Sequence, residues 1–245
     1  MKQTNQKSTT FYCFSPPVMI ATFVIEIVLA VFTLVRYRLS AVTKLAATVL
    51  FCLAIFQLAE YNVCEGVLGL SADSWARLGF VAITLLPPLG LHLATKLAHN
   101  KQPVLVAGGY TAAAAFAVFF AGVEHGVTGP VCQGNYVIFH IAAGAGGLYM
   151  MYYYALLFIA VGYSLVKAAA EKQAHRARAL RALSLGYAAF IIPTTAVNYI
   201  SPETKTAIPS IMCGFAVLLA VIIAAEVLPQ YHSKQNALKS RSVIN

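Results

Sequence analysis

A chain of 245 residues that is 60% hydrophobic and 10% charged, with a mean hydropathy of +0.74, is far too apolar for a water-soluble domain of its length. Lipid is the solvent for most of it, and seven crossings of about 20 apolar residues occupy roughly 140 positions, leaving room for short loops and tails but no soluble catalytic domain. The net charge of +9 does not point to nucleic acid, because the cations flank hydrophobic runs, where they set topology and meet anionic lipid headgroups.

Residues 1–16 read as a polar extracytoplasmic tail, and the apolar run after it lacks a small-residue cleavage site. That run is therefore expected to be a retained helix that directs insertion, not a signal peptide. Apolar runs follow at residues 17–35, 45–63, 75–98, 103–121, 136–166, 180–200 and 207–228. Unpaired backbone amides in lipid cost several kcal/mol each, and the runs lack the alternation of barrel strands, so all seven are expected to be helices. The resulting fold class is all-α. Residues 17–229 form an integral membrane seven-helix bundle, and 230–245 a basic cytoplasmic tail.

Lys and Arg resist translocation, and 13 of the 17 fall on one side of this arrangement. They are Arg36, Arg38, Lys44, Lys96, Lys101, Lys167, Lys172, Arg176, Arg178, Arg181, Lys234, Lys239 and Arg241. Lys2, Lys7, Arg77 and Lys205 fall on the other side, with Glu65, Asp73, Glu124 and Glu203. The bias predicts an outer N-terminus and a cytoplasmic C-terminus, in a cell inner (plasma) membrane.

Polar residues inside the runs are candidates for function, because lipid makes them costly. Glu26, in the middle of the first segment, is the most deeply placed acid, expected to be protonated or paired, and has no evident cationic partner. Glu226, near the inner end of the seventh, is expected to meet the headgroups or the loop cations. The densest cluster closes the second segment, where Gln57, Glu60, Tyr61 and Cys64 share one helical face. His140 and Asn198, near the outer ends of the fifth and sixth segments, lie at a similar depth. Gln57, Glu60, Tyr61, His140 and Asn198 together form the leading ligand-binding site. The bland alternative is that each makes an interhelical hydrogen bond of about 1 kcal/mol.

Pro87-Pro88 in the third segment and Pro193 in the sixth remove backbone donors and predict kinks that leave carbonyls seeking other partners. Gly108-Gly109, Gly144, Gly146 and Gly147 read as close-packing positions. His92 and His99 lie two turns apart, but His92 and His140 differ in depth, so no axial pair for a haem emerges, and the histidines lack zinc-site spacing. No metal or cofactor is expected. Cys64 and Cys132 both fall at the outer face, where an oxidising compartment allows a disulfide; Cys13 competes, while Cys52 and Cys213 read as packing residues. Tyr149, Tyr152, Tyr153 and Tyr154 cover more than one helical face, so some of them must meet lipid or a neighbouring helix. The interior of the seventh segment has no lysine for a retinal Schiff base. An Ala-rich basic stretch, 167–178, is expected to continue the fifth helix into the cytoplasm, as a partner surface or as a headgroup anchor.

The stretch Trp75-Ala-Arg-Leu-Gly-Phe-Val-Ala-Ile-Thr-Leu-Leu-Pro-Pro-Leu-Gly-Leu-His-Leu resembles the third-helix signature of the seven-helix N-terminal sensor region of bacterial histidine kinases. In that family a Trp opens the helix and a Pro lies in its second half. The preceding Ala-Glu-Tyr and the N-out, C-in topology are similar too. Only about 17 residues follow the seventh segment, so no kinase or other output domain is expected after it. The resemblance implies a receptor-like module, signalling through a separate cytoplasmic protein, that senses a small molecule or a membrane property.

Three classes remain in play. A sensor module contacting membrane lipids and a small-molecule ligand is the first. A small-molecule or proton-coupled transporter is the second, weakly supported by Glu26 and the kinks and opposed by the missing internal repeat. A membrane redox protein or other enzyme is the third, and no nucleophile with its base or metal motif supports it.

Overall fold

A computed structural model describes residues 15–133, 136–142, 144–201, 204 and 207–232. The elements are α1 (Pro16–Arg36), α2 (Ala41–Glu65), α3 (Ala72–Thr84), α4 (Leu86–Leu97), α5 (Pro103–Gly122), β1 (Val127–Gln133), β2 (Tyr136–Ile141), α6 (Ala145–Ala170), α7 (Ala174–Ile200) and α8 (Ile208–Ile222). A π-helical turn, Ile223–Val227, continues α8, and helix resumes to His232. Seven helices are long and apolar enough to cross a membrane, α3 and α4 together counting as the span Ala72–Leu97. Cys13, Lys2, Lys7, Glu203, Lys205, Lys234, Lys239 and Arg241 lie outside the described residues.

Local chemistry sets the helix ends. The Ser40 and Ser71 hydroxyls accept hydrogen bonds from the Thr43 and Ser74 amides at 3.1 and 3.2 Å, capping α2 and α3. Proline occupies the first turn of α1, α4, α5 and α8, where its missing N–H costs nothing. Gly66 ends α2 at φ +65°, the left-handed conformation that glycine adopts freely.

The third apolar run is broken, at Leu85, by the two prolines that follow it. Pro88 cannot donate to the Thr84 carbonyl one turn back, and the Tyr152 hydroxyl of α6 donates to that carbonyl instead, at 2.7 Å. The Thr84 hydroxyl donates to Phe80 O at 2.6 Å and lies 3.2 Å from the Tyr149 hydroxyl. Two of the five tyrosines of α6, Tyr149 and Tyr152, thus serve a proline break in another helix. Tyr149 and Tyr153 are buried, while Tyr152 and Tyr154 are partly exposed. By contrast, α7 runs through Pro193 without interruption.

Two expectations are corrected. The apolar run from 136 is not helical at its start: Tyr136–Ile141 is a strand paired antiparallel with β1, and the helix begins only at Ala145. Val137 and Phe139 are buried while their neighbours are half-buried or exposed, the period-2 pattern of a strand. Gly144, at φ +86°, separates strand from helix. Hydropathy does not distinguish so short an apolar run from the helix it precedes. The all-α bundle therefore carries one β-hairpin. The basic stretch after residue 167 also does not project as a helix. α6 stops at Ala170, α7 starts at Ala174, and the Glu171 carboxylate accepts the Gln173 amide at 2.9 Å to close the turn.

α2 is the hub, packing on α1, α3, α4 and α8 and touching both strands. The hairpin covers one end of the bundle and is tied on by the Cys64–Cys132 disulfide, with Cα atoms 5.5 Å apart, and by a Gly129 amide bond to Asp73 at 3.1 Å. Phe139 carries it into the core, its ring 5.1 Å from Phe80, which in turn meets Phe120 at 5.0 Å.

Candidate functional site

The buried face of α2 presents Gln57 and Glu60, each 2% exposed, one turn apart. Ser210, in the first turn of α8, hydrogen-bonds the Glu60 carboxyl group. The Ser210 oxygen also accepts the Val137 amide of β2 at 3.2 Å, so one hydroxyl joins helix α2, helix α8 and the hairpin. The second Glu60 oxygen, Oε1, has no hydrogen-bond partner among the described residues, and neither has Gln57 Nε2.

α1 completes the arrangement. Glu26 is fully buried, and neither of its oxygens has a hydrogen-bond partner among the described residues. Its carboxyl group is close enough to Glu60 to interact electrostatically, and Cys213, three residues after Ser210 on α8, lies within the field of both acids. The centre therefore joins two carboxyl groups, an amide, a hydroxyl and a thiol from three helices, with no cation paired to either acid among the described residues. Such a set offers hydrogen-bond acceptors in a low-dielectric setting, where an unmet polar atom costs about 1–3 kcal/mol. It is suited to a proton or to a ligand rich in donors.

The predicted five-residue pocket is brought together in part. Gln57 and Glu60 are in the centre, and Tyr61 is half-buried against the apolar core. His140 is not at a helix end but on β2, across from Thr128, exposed on the strand face opposite Val137 and Phe139. Strand alternation, not depth, decides its direction. Asn198 is engaged locally: its amide donates to Thr194 O at 2.9 Å, and its oxygen accepts the Thr204 hydroxyl at 2.7 Å. It braces the end of α7.

Glu26 was visible in the sequence as a deep acid, but its neighbour was not. Ser210 and Cys213 carry no pattern that marks them, being small residues in the seventh apolar run. Glu226 is exposed and lies in the π-helical turn. His92 is bound to the Tyr110 hydroxyl at 3.2 Å. Among the described residues no three metal-ligating side chains converge. No family model matches the chain, and no curated protein matches it.

Proposed function

We propose that this chain is a multi-pass receptor-like sensor of the inner (plasma) membrane, N-terminus outside, that binds a small molecule or lipid at the polar centre of Glu26, Gln57, Glu60 and Ser210. It signals through a separate cytoplasmic protein rather than by turnover. The observation that carries this reading is the set of buried polar atoms on α1 and α2 (Glu26 Oε1 and Oε2, Gln57 Nε2 and Glu60 Oε1) that have no hydrogen-bond partner among the described residues, because an arrangement so costly in lipid is retained where a ligand or a protonation change uses it. The resemblance of the Trp75–Leu93 stretch to kinase sensor regions agrees with it. α1 packs on α2 and on α8, so a shift of that one helix would open the centre to ligand and pass the change along the bundle.

Native mass spectrometry of gently purified protein tests the proposal, with Glu60→Gln beside the wild type. A small molecule or lipid retained by the wild type and lost from the variant is the expected result. An empty wild type, or a species that the substitution leaves in place, would assign the centre to packing.

A second reading is favoured by one feature, the electrostatic interaction between Glu26 and Glu60. Two interacting carboxyl groups inside a membrane bundle can exchange a proton, which is what a proton-coupled transporter requires. Acidification of vesicles containing purified protein, abolished by Glu26→Gln and Glu60→Gln alike, would favour transport over sensing.

A further inference from the structure

At the end of the bundle opposite the hairpin, a groove of about 420 Å³ runs between the start of α2, the end of α4, the 98–102 turn and the start of α5. Its walls include apolar groups, among them Val42, Pro103 and Val106, while Lys96, Lys101, His92 and His99 supply polar and cationic atoms. Among the described residues no carboxylate lines it. Lys96 and Lys101 are exposed and make no ion pair among the described residues.

The groove is braced. The Tyr110 hydroxyl holds His92, Gln102 donates to the Asn100 side-chain oxygen at 3.1 Å, and the Tyr163 hydroxyl donates to the Asn100 carbonyl at 3.3 Å. His99 is the described non-glycine residue with positive φ, +50°, a conformation that costs energy and persists because its surroundings impose it. Its ring stacks on Tyr231, from the last helical turn of the described chain, with centroids 6.4 Å apart. Partial burial, and then the Arg176 guanidinium, hold the His99 imidazole below its ordinary range, against the opposing effect of Glu171. The standing positive charge of the groove at neutral pH thus comes from Lys96 and Lys101.

We propose that this groove is a binding site for one anionic phospholipid, its phosphate between Lys96 and Lys101 and an acyl chain along the apolar wall. Amphipathic character separates this occupant from a soluble anion: unpaired cations beside apolar wall at the boundary of a membrane span match a molecule that is charged at one end and apolar at the other. The surrounding cations Arg36, Arg38 and Lys44 attract headgroups of any kind; Arg36 borders an apolar hollow along α1, but it is one cation there, whereas the groove places two lysines beside its apolar wall. The proposal is independent of the ligand at the Glu26–Glu60 centre.

The test uses the full chain in nanodiscs of phosphatidylcholine with and without phosphatidylglycerol, released into native mass spectrometry. Wild type is expected to retain one phosphatidylglycerol, Lys96→Gln/Lys101→Gln to retain it roughly thirty-fold more weakly, and Arg38→Gln/Lys44→Gln to behave as wild type. Val106→Trp fills the groove without touching its charges, so it reports on the site even where the double variant folds poorly, and it too is expected to release the lipid. Equal retention by all variants would overturn the proposal in favour of diffuse headgroup attraction. Thermal protection of the detergent-solubilised wild type by inorganic phosphate, with no preference for phosphatidylglycerol, would overturn it in favour of a soluble anion.

Discussion

Glu26 sets the terms at the scale of single residues. A carboxyl group sealed in a bundle without a hydrogen-bond partner among the described residues is a cost that folding must offset elsewhere, and an apolar side chain of similar size would remove it. Glu26→Met is therefore expected to raise stability by about 1–3 kcal/mol, read as a higher midpoint of thermal unfolding in detergent. A lower midpoint would mean that Glu26 holds a structural bond rather than a functional position. A stabilised protein that has lost its ligand, or its transport, would place Glu26 among residues kept for activity at the expense of stability.

Elements meet here through small residues as much as through large ones. Gly90 on α4 faces Tyr187 on α7 so closely that an added Cβ would lie 1.6 Å from the tyrosine oxygen and 2.9 Å from the ring carbon that bears it. Tyr187 is itself buried, so it has little room to yield. Gly90→Ala is expected to destabilise the bundle by about 1–3 kcal/mol, and Tyr187→Phe to recover most of that loss in the double variant, a coupling visible in a four-member unfolding cycle. Independent, additive effects would show that the α4–α7 contact is looser than this geometry. The Thr84–Tyr152 bond works on the same scale: a proline pair in one helix creates a need, and a hydroxyl from another meets it.

At the scale of the whole molecule, the predicted orientation is the property most open to direct measurement. Glu124, beside the hairpin, and Lys172, in the turn between α6 and α7, are both exposed, and the excess of Lys and Arg lies at the Lys172 end. A membrane-impermeant maleimide applied to intact cells is expected to label Glu124→Cys and to label Lys172→Cys only after lysis; the reverse pattern would invert the bundle.

The seven spans were legible in the sequence because hydropathy is a property of each segment alone, and a segment that is apolar for twenty residues has one stable state in lipid. The break before Pro87-Pro88 was legible for the same reason, a missing donor being a local fact. What tertiary structure decided are the relations between segments. It turned 136–141 into a strand, because that stretch finds a partner in β1 and an apolar seat for Phe139. It closed the 171–173 turn, placed His140 on an exposed strand face, and brought Glu26 of α1 within electrostatic reach of Glu60 of α2. Polarity and depth mark a residue as costly, but which neighbour shares its cost depends on helix rotation and packing, and those are fixed only when all the spans come together.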